Sequence, residues 1–427
     1  TTRILASSAG SDRQWIAYGG TNAGLRHSEL TQITPANVRD LQVAWTFRVG
    51  LSPHPSIATS LQTTPLMIGD TLYLCTGYND IVALDAATGR QRWRFHARVA
   101  EGQTYRACRG VAYVETPSSQ VCPARIVTNT VDARLIALDP RTGKGCADFG
   151  GNGEVSLLRG MGHVDKNYYY VTSAPTVVRG RIVLGGWVTD GQYWGEPSGV
   201  VRAFDAVTGR LAWAWDMGRP DRTGEPPEGE SYTRATPNAW APMSADEQLG
   251  LVYVPTGISV PDYYGAQRRP FDDAYSSSVV ALDADTGRPR WHFQTGRHDL
   301  WDYDVAAQPT LIDLPIGGRR VPALLQATKQ GQMFLLDRRT GKPLARVEDM
   351  PVPQGAAPGD FVAPTQPFST GMPAFDKDRL SEATMWGLTP LDQLWCRIRF
   401  RQARYEGIFT PPGLRPTITY PSYLGGV

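Results

Sequence analysis

The chain has 427 residues, 41% hydrophobic and 20% charged, a globular balance that excludes a long disordered chain. Its 43 basic and 41 acidic residues leave a net charge of +2, which gives no case for a nucleic-acid partner. No apolar stretch reaches the roughly 18–20 residues that span a bilayer, and the opening Thr1 to Ser8 has no signal-peptide core.

In chain order, Pro35 to Leu41 reads as one short helix, and helical periodicity is almost absent elsewhere. A repeat then dominates. Ala83-Leu-Asp-Ala-Ala-Thr-Gly-Arg-Gln-Arg-Trp93 recurs at Ala203 to Trp213 and at Ala281 to Trp291. Weaker copies begin at Ala137 and Leu335. Each copy reads as a hairpin: an apolar strand, a turn built on Asp, Thr and Gly, then a strand carrying the Trp. The Asp side chain bonds turn amides and the Gly supplies a positive φ. The Trp is expected to pack flat between neighbouring sheets. Further strand-like runs precede the copies, such as Thr71 to Cys75 and Leu251 to Val254. Several short strands per repeat predict an all-β propeller. The uneven steps between copies (54, 66, 78 and 54 residues) imply insertions between blades.

Five cysteines leave at least one unpaired within the chain. Cys108 and Cys122 are spaced to close a loop as a disulfide, with buried free thiols as the alternative. No Gly-x-Gly-x-x-Gly opens a helix, and neither a phosphate-binding loop nor a Gly-x-Ser-x-Gly elbow is present. The six His residues form no metal-ligand cluster.

The Trp-bearing hairpins resemble the tryptophan-docked β-propellers of quinoprotein dehydrogenases, which bind pyrroloquinoline quinone (PQQ). More specific segments resemble one branch, the membrane-bound glucose/quinate/shikimate dehydrogenases. They are Trp15-Ile-Ala-Tyr-Gly19, Cys108-Arg-Gly-Val-Ala-Tyr113, Trp240-Ala-Pro-Met-Ser-Ala-Asp246, His298-Asp-Leu-Trp-Asp-Tyr-Asp304 and Arg404-Tyr-Glu-Gly-Ile-Phe-Thr-Pro-Pro412. The resemblance runs through all 427 residues in order.

It implies PQQ with Ca²⁺ or Mg²⁺, a sugar or cyclic polyol substrate, and ubiquinone as acceptor at the periplasmic face of the inner membrane. Oxidising an alcohol needs a base near the hydroxyl, a cation near the cofactor carbonyl and an aromatic floor. Asp302 matches the family's catalytic base, with Asp299 and Asp304 expected to serve the local turn. Lys329 matches the basic residue near the reactive carbonyl. Trp240 matches the floor under the ring; the alternative is one more docking Trp. Arg109 matches an Arg that pairs with a cofactor carboxylate, where a fork suits a carboxylate better than an ammonium does. Asp190 and Asp302 match the metal ligands.

Departures from the branch bear on metal and substrate. Gly191 and Ile258 stand where relatives carry Asn, which predicts weaker metal binding. Tyr105 replaces a His that lies over the cofactor in glucose enzymes, and it is expected to face the substrate. Gln103-Thr104 replaces the vicinal Cys pair of methanol enzymes. An aldose or a cyclic polyol therefore fits better than methanol. The alternative from another class is a non-catalytic propeller scaffold. The family closes with eight blades, and this sequence accounts for about five to six. Residues 1–427 are accordingly expected to form one propeller domain truncated at its C-terminus and lacking an N-terminal membrane anchor.

Overall fold

The computed structural model describes residues 14–50, 59–99, 106–189, 193–375 and 379–423. Five antiparallel sheets follow one another along the chain. The first has strands Leu66–Ile68, Thr71–Cys75, Ile81–Asp85 and Gln91–Phe95. The second has Ala112–Glu115, Ala124–Asn129, Arg134–Leu138 and Glu154–Ser156. The third has Thr176–Val178, Arg181–Leu184, Val201–Asp205 and Leu211–Trp215. The fourth has Ser244–Asp246, Leu251–Pro255, Ser278–Asp283 and Pro289–Gln294. The fifth has Thr310–Ile316, Arg319–Ala327 and Met333–Asp337. Within each of these five sheets, each strand bonds to the sheet's next strand in chain order, so each is a meander.

Alternating side chains feed two cores per sheet. Val183 and Ala203 face the fourth sheet's Val252 and Val280, while Ile182 and Phe204 face the second sheet's Val127 and Leu135. Similar clusters join the first sheet to the second and the fourth to the fifth. Sheets packed face to face in succession are the propeller arrangement that the repeat predicts.

The repeat turns work as expected. Asp85 Oδ1 accepts from the Thr88 amide (2.9 Å) and hydroxyl (2.8 Å), and Asp205 and Asp283 repeat the pattern. The turn glycine has a second duty. Trp93 lies against Gly143 of the following repeat and donates to the Pro140 carbonyl at 2.8 Å. A Cβ on Gly143 would come within 2.5 Å of that indole, and its φ of 70° disfavours any side chain. Trp213 docks on Gly287, and Trp291 on Gly341, in the same way. Trp45, outside any repeat copy, docks on Gly89. The copy at Ala137 lacks its Trp. There Phe149 packs beside Gly209, and Cys146 ties the turn to Cys122.

That pairing corrects the expected cysteine assignment. Cys108 bonds Cys75 at the end of a first-sheet strand, Cys122 bonds Cys146, and Cys396 is free. Two helical expectations also change. Pro35 to Leu41 yields only a 3-10 turn, Val38–Asp40, with no buried residue to hold a longer helix. An α-helix does form at Pro390–Gln402. Thr389 caps it by accepting from the Asp392 amide at 3.2 Å, and Pro390 occupies its first turn.

The N-terminal segment threads across the first strands of four sheets. Trp15 bridges Met67. Asn22 donates to the Val177 carbonyl at 2.6 Å and accepts from the Ala245 amide at 2.9 Å. The Leu311 amide donates to the Ala23 carbonyl at 2.7 Å.

Candidate active site

Meander topology sorts the loops by end. The Asp-x-x-Thr-Gly turns join third to fourth strands, so they lie at the end opposite to the loops that join second to third strands or precede a first strand. The candidate residues with described positions all fall in the latter set. Arg109 precedes the second sheet, Trp240 the fourth, and Asp302 the fifth. Lys329 lies between the second and third strands of the fifth sheet.

These loops converge on Lys329. Its Nζ donates to Asp302 Oδ1 (3.1 Å), the Asp302 carbonyl (2.9 Å) and Asp304 Oδ2 (3.0 Å). Nζ also lies 5.9 Å from the Trp240 ring centroid. The Trp240 indole N–H donates to Asp304 Oδ2 at 3.2 Å, and its ring stacks beside Trp187 at 5.5 Å. The Arg109 guanidinium lies 5.4 Å from the same ring and donates to the Thr172 hydroxyl. Trp240 is thus no docking Trp: its N–H meets a carboxylate rather than a turn carbonyl. Asp302 keeps 18% side-chain exposure, against 9% for Lys329 and 8% for Asp304. Of the three, it is the group most open to a ligand.

Sequence reasoning assigned Asp304 to a turn, and the structure places it at the centre of the cluster. Besides Lys329 and Trp240, it accepts from the Ile258 amide at 2.9 Å. The i, i+2 spacing of Asp302 and Asp304 was the available signal, and both acids reach the Lys329 ammonium. Tyr303 goes the other way and packs with Trp301 and Phe409. Asp299 does serve the loop, accepting from the amides of Trp301 (2.8 Å) and Tyr303 (2.9 Å). Two further groups carried no motif. Asn238 Oδ1 and Asp262 Oδ1 are buried acceptors with no hydrogen bond. A Cβ on Gly257 would fall 2.6 Å from Asp304 Oδ1 and 2.8 Å from Asn238 Oδ1, so the glycine keeps open a small oxygen-lined cradle.

The electrostatics follow from crowding. Burial, then the neighbouring Asp304 charge, push the Asp302 carboxyl up to about 10, against the pull of Lys329. Burial, then Asp304, lift Asp262 to about 7. Burial works against the Lys329 cation, but Asp304 and Asp302 outweigh it and raise its pKa. The Lys329 ammonium is shared between Asp302 and Asp304, whose oxygens crowd one small region. Oxygen donors of this kind suit Ca²⁺ or Mg²⁺. Among the described residues no three His, Cys, Asp or Glu side chains converge as a metal site. Asp190 and Tyr105 lie outside the described residues. The donor set also fits PQQ: an indole face with Arg109 and Lys329 within 6 Å suits a flat polycarboxylate.

A tryptophan-docked propeller with a charged cluster at one end of its sheets defines the class. The sequence matches, over residues 15–427, the family model described as PQQ: glucose/ethanol/alcohol dehydrogenase, beta-propeller domain, and the chain belongs to that family. It is 48% identical to the glycerol dehydrogenase large subunit of Gluconobacter oxydans over 431 residues, 99% of this chain and 58% of that protein. It is 43% identical to the quinoprotein glucose dehydrogenase of Escherichia coli, over 99% of this chain and 54% of the relative. The chain therefore spans little more than half of these relatives. The quinohemoprotein alcohol dehydrogenase of Comamonas testosteroni superposes with a TM-score of 0.64 at 28% identity. The match covers 83% of this chain and 52% of that one.

Proposed function

We propose that residues 1–427 form the PQQ-binding propeller domain of a dehydrogenase that oxidises a CH–OH group of a polyol or aldose. The observation that carries this is the Lys329 ammonium shared between Asp302 and Asp304 beside Trp240. A non-catalytic scaffold has no use for that cluster.

The bound ortho-quinone supplies the acceptor for the substrate hydride. The chain's residues do the rest. Asp302 takes the hydroxyl proton on a carboxylate oxygen, and its raised pKa makes it a stronger base once ionised. Lys329 offers its cation to the oxygen that gains charge. Asp304 fixes Lys329 and the Trp240 indole against each other. Trp240 provides the floor, and Arg109 holds a cofactor carboxylate. Asp190 and Asp302 are the metal ligands for Ca²⁺ or Mg²⁺, weakly held because positions 191 and 258 lack Asn. Tyr105 selects among substrates. The relatives' names set glycerol and glucose as the first substrates to assay, with quinate beside them. Electrons pass to ubiquinone at the periplasmic face of the inner membrane.

Fluorescence titration with PQQ plus Ca²⁺ or Mg²⁺ tests the reading. Saturable quenching that Trp240→Phe diminishes is the expected result. No quenching by PQQ with either metal would defeat the proposal.

A further inference from the structure

At the seam between the second and third sheets, Phe149 stands where other seams have a docking Trp. A cleft of about 610 Å³ opens there between the outer strands of the two sheets, Glu154–Ser156 and Leu211–Trp215. That volume suits a small organic molecule. Val155, Phe204 and Leu211 give the cleft apolar walls. Arg202 and Tyr232 belong to its lining and are 2 and 3% exposed.

Arg202 is a buried cation left without an anion. Its Nη2 donates to the Leu157 carbonyl (2.6 Å) and the Tyr169 hydroxyl (2.9 Å), and its Nη1 to the Arg159 carbonyl (3.2 Å). The rings of Tyr169, Phe204 and Tyr232 surround the guanidinium, with centroids 5.8, 5.9 and 5.8 Å away. All of these partners are neutral, so the charge is not cancelled. Arg125, also buried, has Asp148 at 2.7 Å; among the described residues Arg202 has no such acid. Arg202 Nε and the Tyr232 hydroxyl are buried with no hydrogen bond. The cleft's two acids are both taken, Glu154 by Arg134 (3.1 Å) and Glu225 by Arg159 (2.8 Å). Arg210, exposed in the lining, has no side-chain partner among the described residues.

The unmatched groups are therefore cations and donors, set among apolar walls. An organic carboxylate answers both. Its two oxygens accept from a guanidinium fork, and its carbon body covers the walls. We propose that this cleft binds an organic carboxylate, held by Arg210 over the buried Arg202 charge. The inference is independent of the cofactor reading, because none of these residues belongs to the Lys329 cluster.

Saturation-transfer NMR of the full chain with benzoate is the test. Saturable binding is expected, at least tenfold weaker for benzamide, which keeps the ring and loses the charge. Arg210→Gln should weaken benzoate severalfold. Ala212→Trp, in the cleft wall, should abolish binding by filling the space. Both positions are exposed, and circular dichroism checks that the variants keep the fold. Arg109→Gln, in the candidate cofactor site, should leave benzoate binding unchanged. Absence of saturable benzoate binding overturns the proposal. So do equal binding of benzamide, binding retained by a folded Ala212→Trp variant, and binding lost in Arg109→Gln. Tighter binding of phenyl phosphate than of benzoate would overturn the carboxylate assignment.

Discussion

Asp302 holds a φ of 58°, a left-handed backbone unusual for a residue with a side chain. Lys329 clamps its carbonyl and its carboxylate together, which is how such strain persists. Asp302→Asn keeps the size of the group and removes the base. Reconstituted enzyme should lose about 10²–10⁴-fold in turnover with PQQ affinity little changed. A loss under twofold would remove Asp302 from the chemistry. Gly257→Ala tests the cradle while leaving every charged side chain in the sequence. Its Cβ must displace the Asp304 or Asn238 oxygen, so PQQ and metal should bind more weakly than to wild type in the same titration. Unchanged binding would show that the cradle is not part of the site. Asp302, Lys329, Trp240 and Arg109 could be singled out because each sits in a distinctive segment, and the structure brings them together. Asn238 and Asp262 could not be, because their significance comes only from burial without a partner.

At the element scale, the hairpin turns and the docking of Trp93, Trp213 and Trp291 could be read from the repeat. Trp213→Ala removes a fully buried indole between two sheets and should cost about 3–5 kcal/mol, measured by denaturant unfolding. A cost below about 1 kcal/mol would mean that the sheets adhere without it. Trp45 and Phe149 escaped the repeat because tertiary position, rather than local motif, gives them the docking role. The loop bearing Asp302 has an anchor of its own. His298 is buried with Nδ1 3.0 Å from Asp273 and Nε2 2.9 Å from Asp360. Two carboxylates demand two N–H donors, hence the imidazolium. Burial works against that charge, but hydrogen bonds to Asp273 and Asp360 outweigh it and raise the His298 pKa. The stabilisation is complete below the unfolded value near 6.5 and fades as pH rises through the folded value. The melting-temperature gap between wild type and His298→Gln should therefore be wider at pH 6 than at pH 9. A gap that stays constant would show the ring to be neutral throughout.

Across the whole molecule, the two ends of the sheets divide the labour. The Asp-x-x-Thr-Gly end repeats because it is structural; the other end carries the Lys329 cluster, the proposed site, on loops of unequal length. That division explains why the repeat disclosed the fold and said little about the site. It also explains the cysteines: Cys75 and Cys108 meet through sheet packing, which sequence separation does not reveal. Reduction should lower the melting temperature, since each bridge restrains the unfolded chain across 33 or 24 residues. A melting curve indifferent to reductant would mean that the sheets hold these loops without help.

The N-terminal thread sets an order of events. Ala23 bonds Leu311 across 288 positions, and Asn22 bonds Val177 and Ala245 on the way. Its partners are edges of sheets that must already stand, so the first residues described are among the last that can find their places. Contacts this remote are slow to form. A chain that begins folding from its first hairpin must leave its own beginning loose until the fifth sheet exists. In pulsed hydrogen exchange, the amides whose protection depends on the thread, those of Ala245 and Leu311, should gain protection after the amides inside the sheets do.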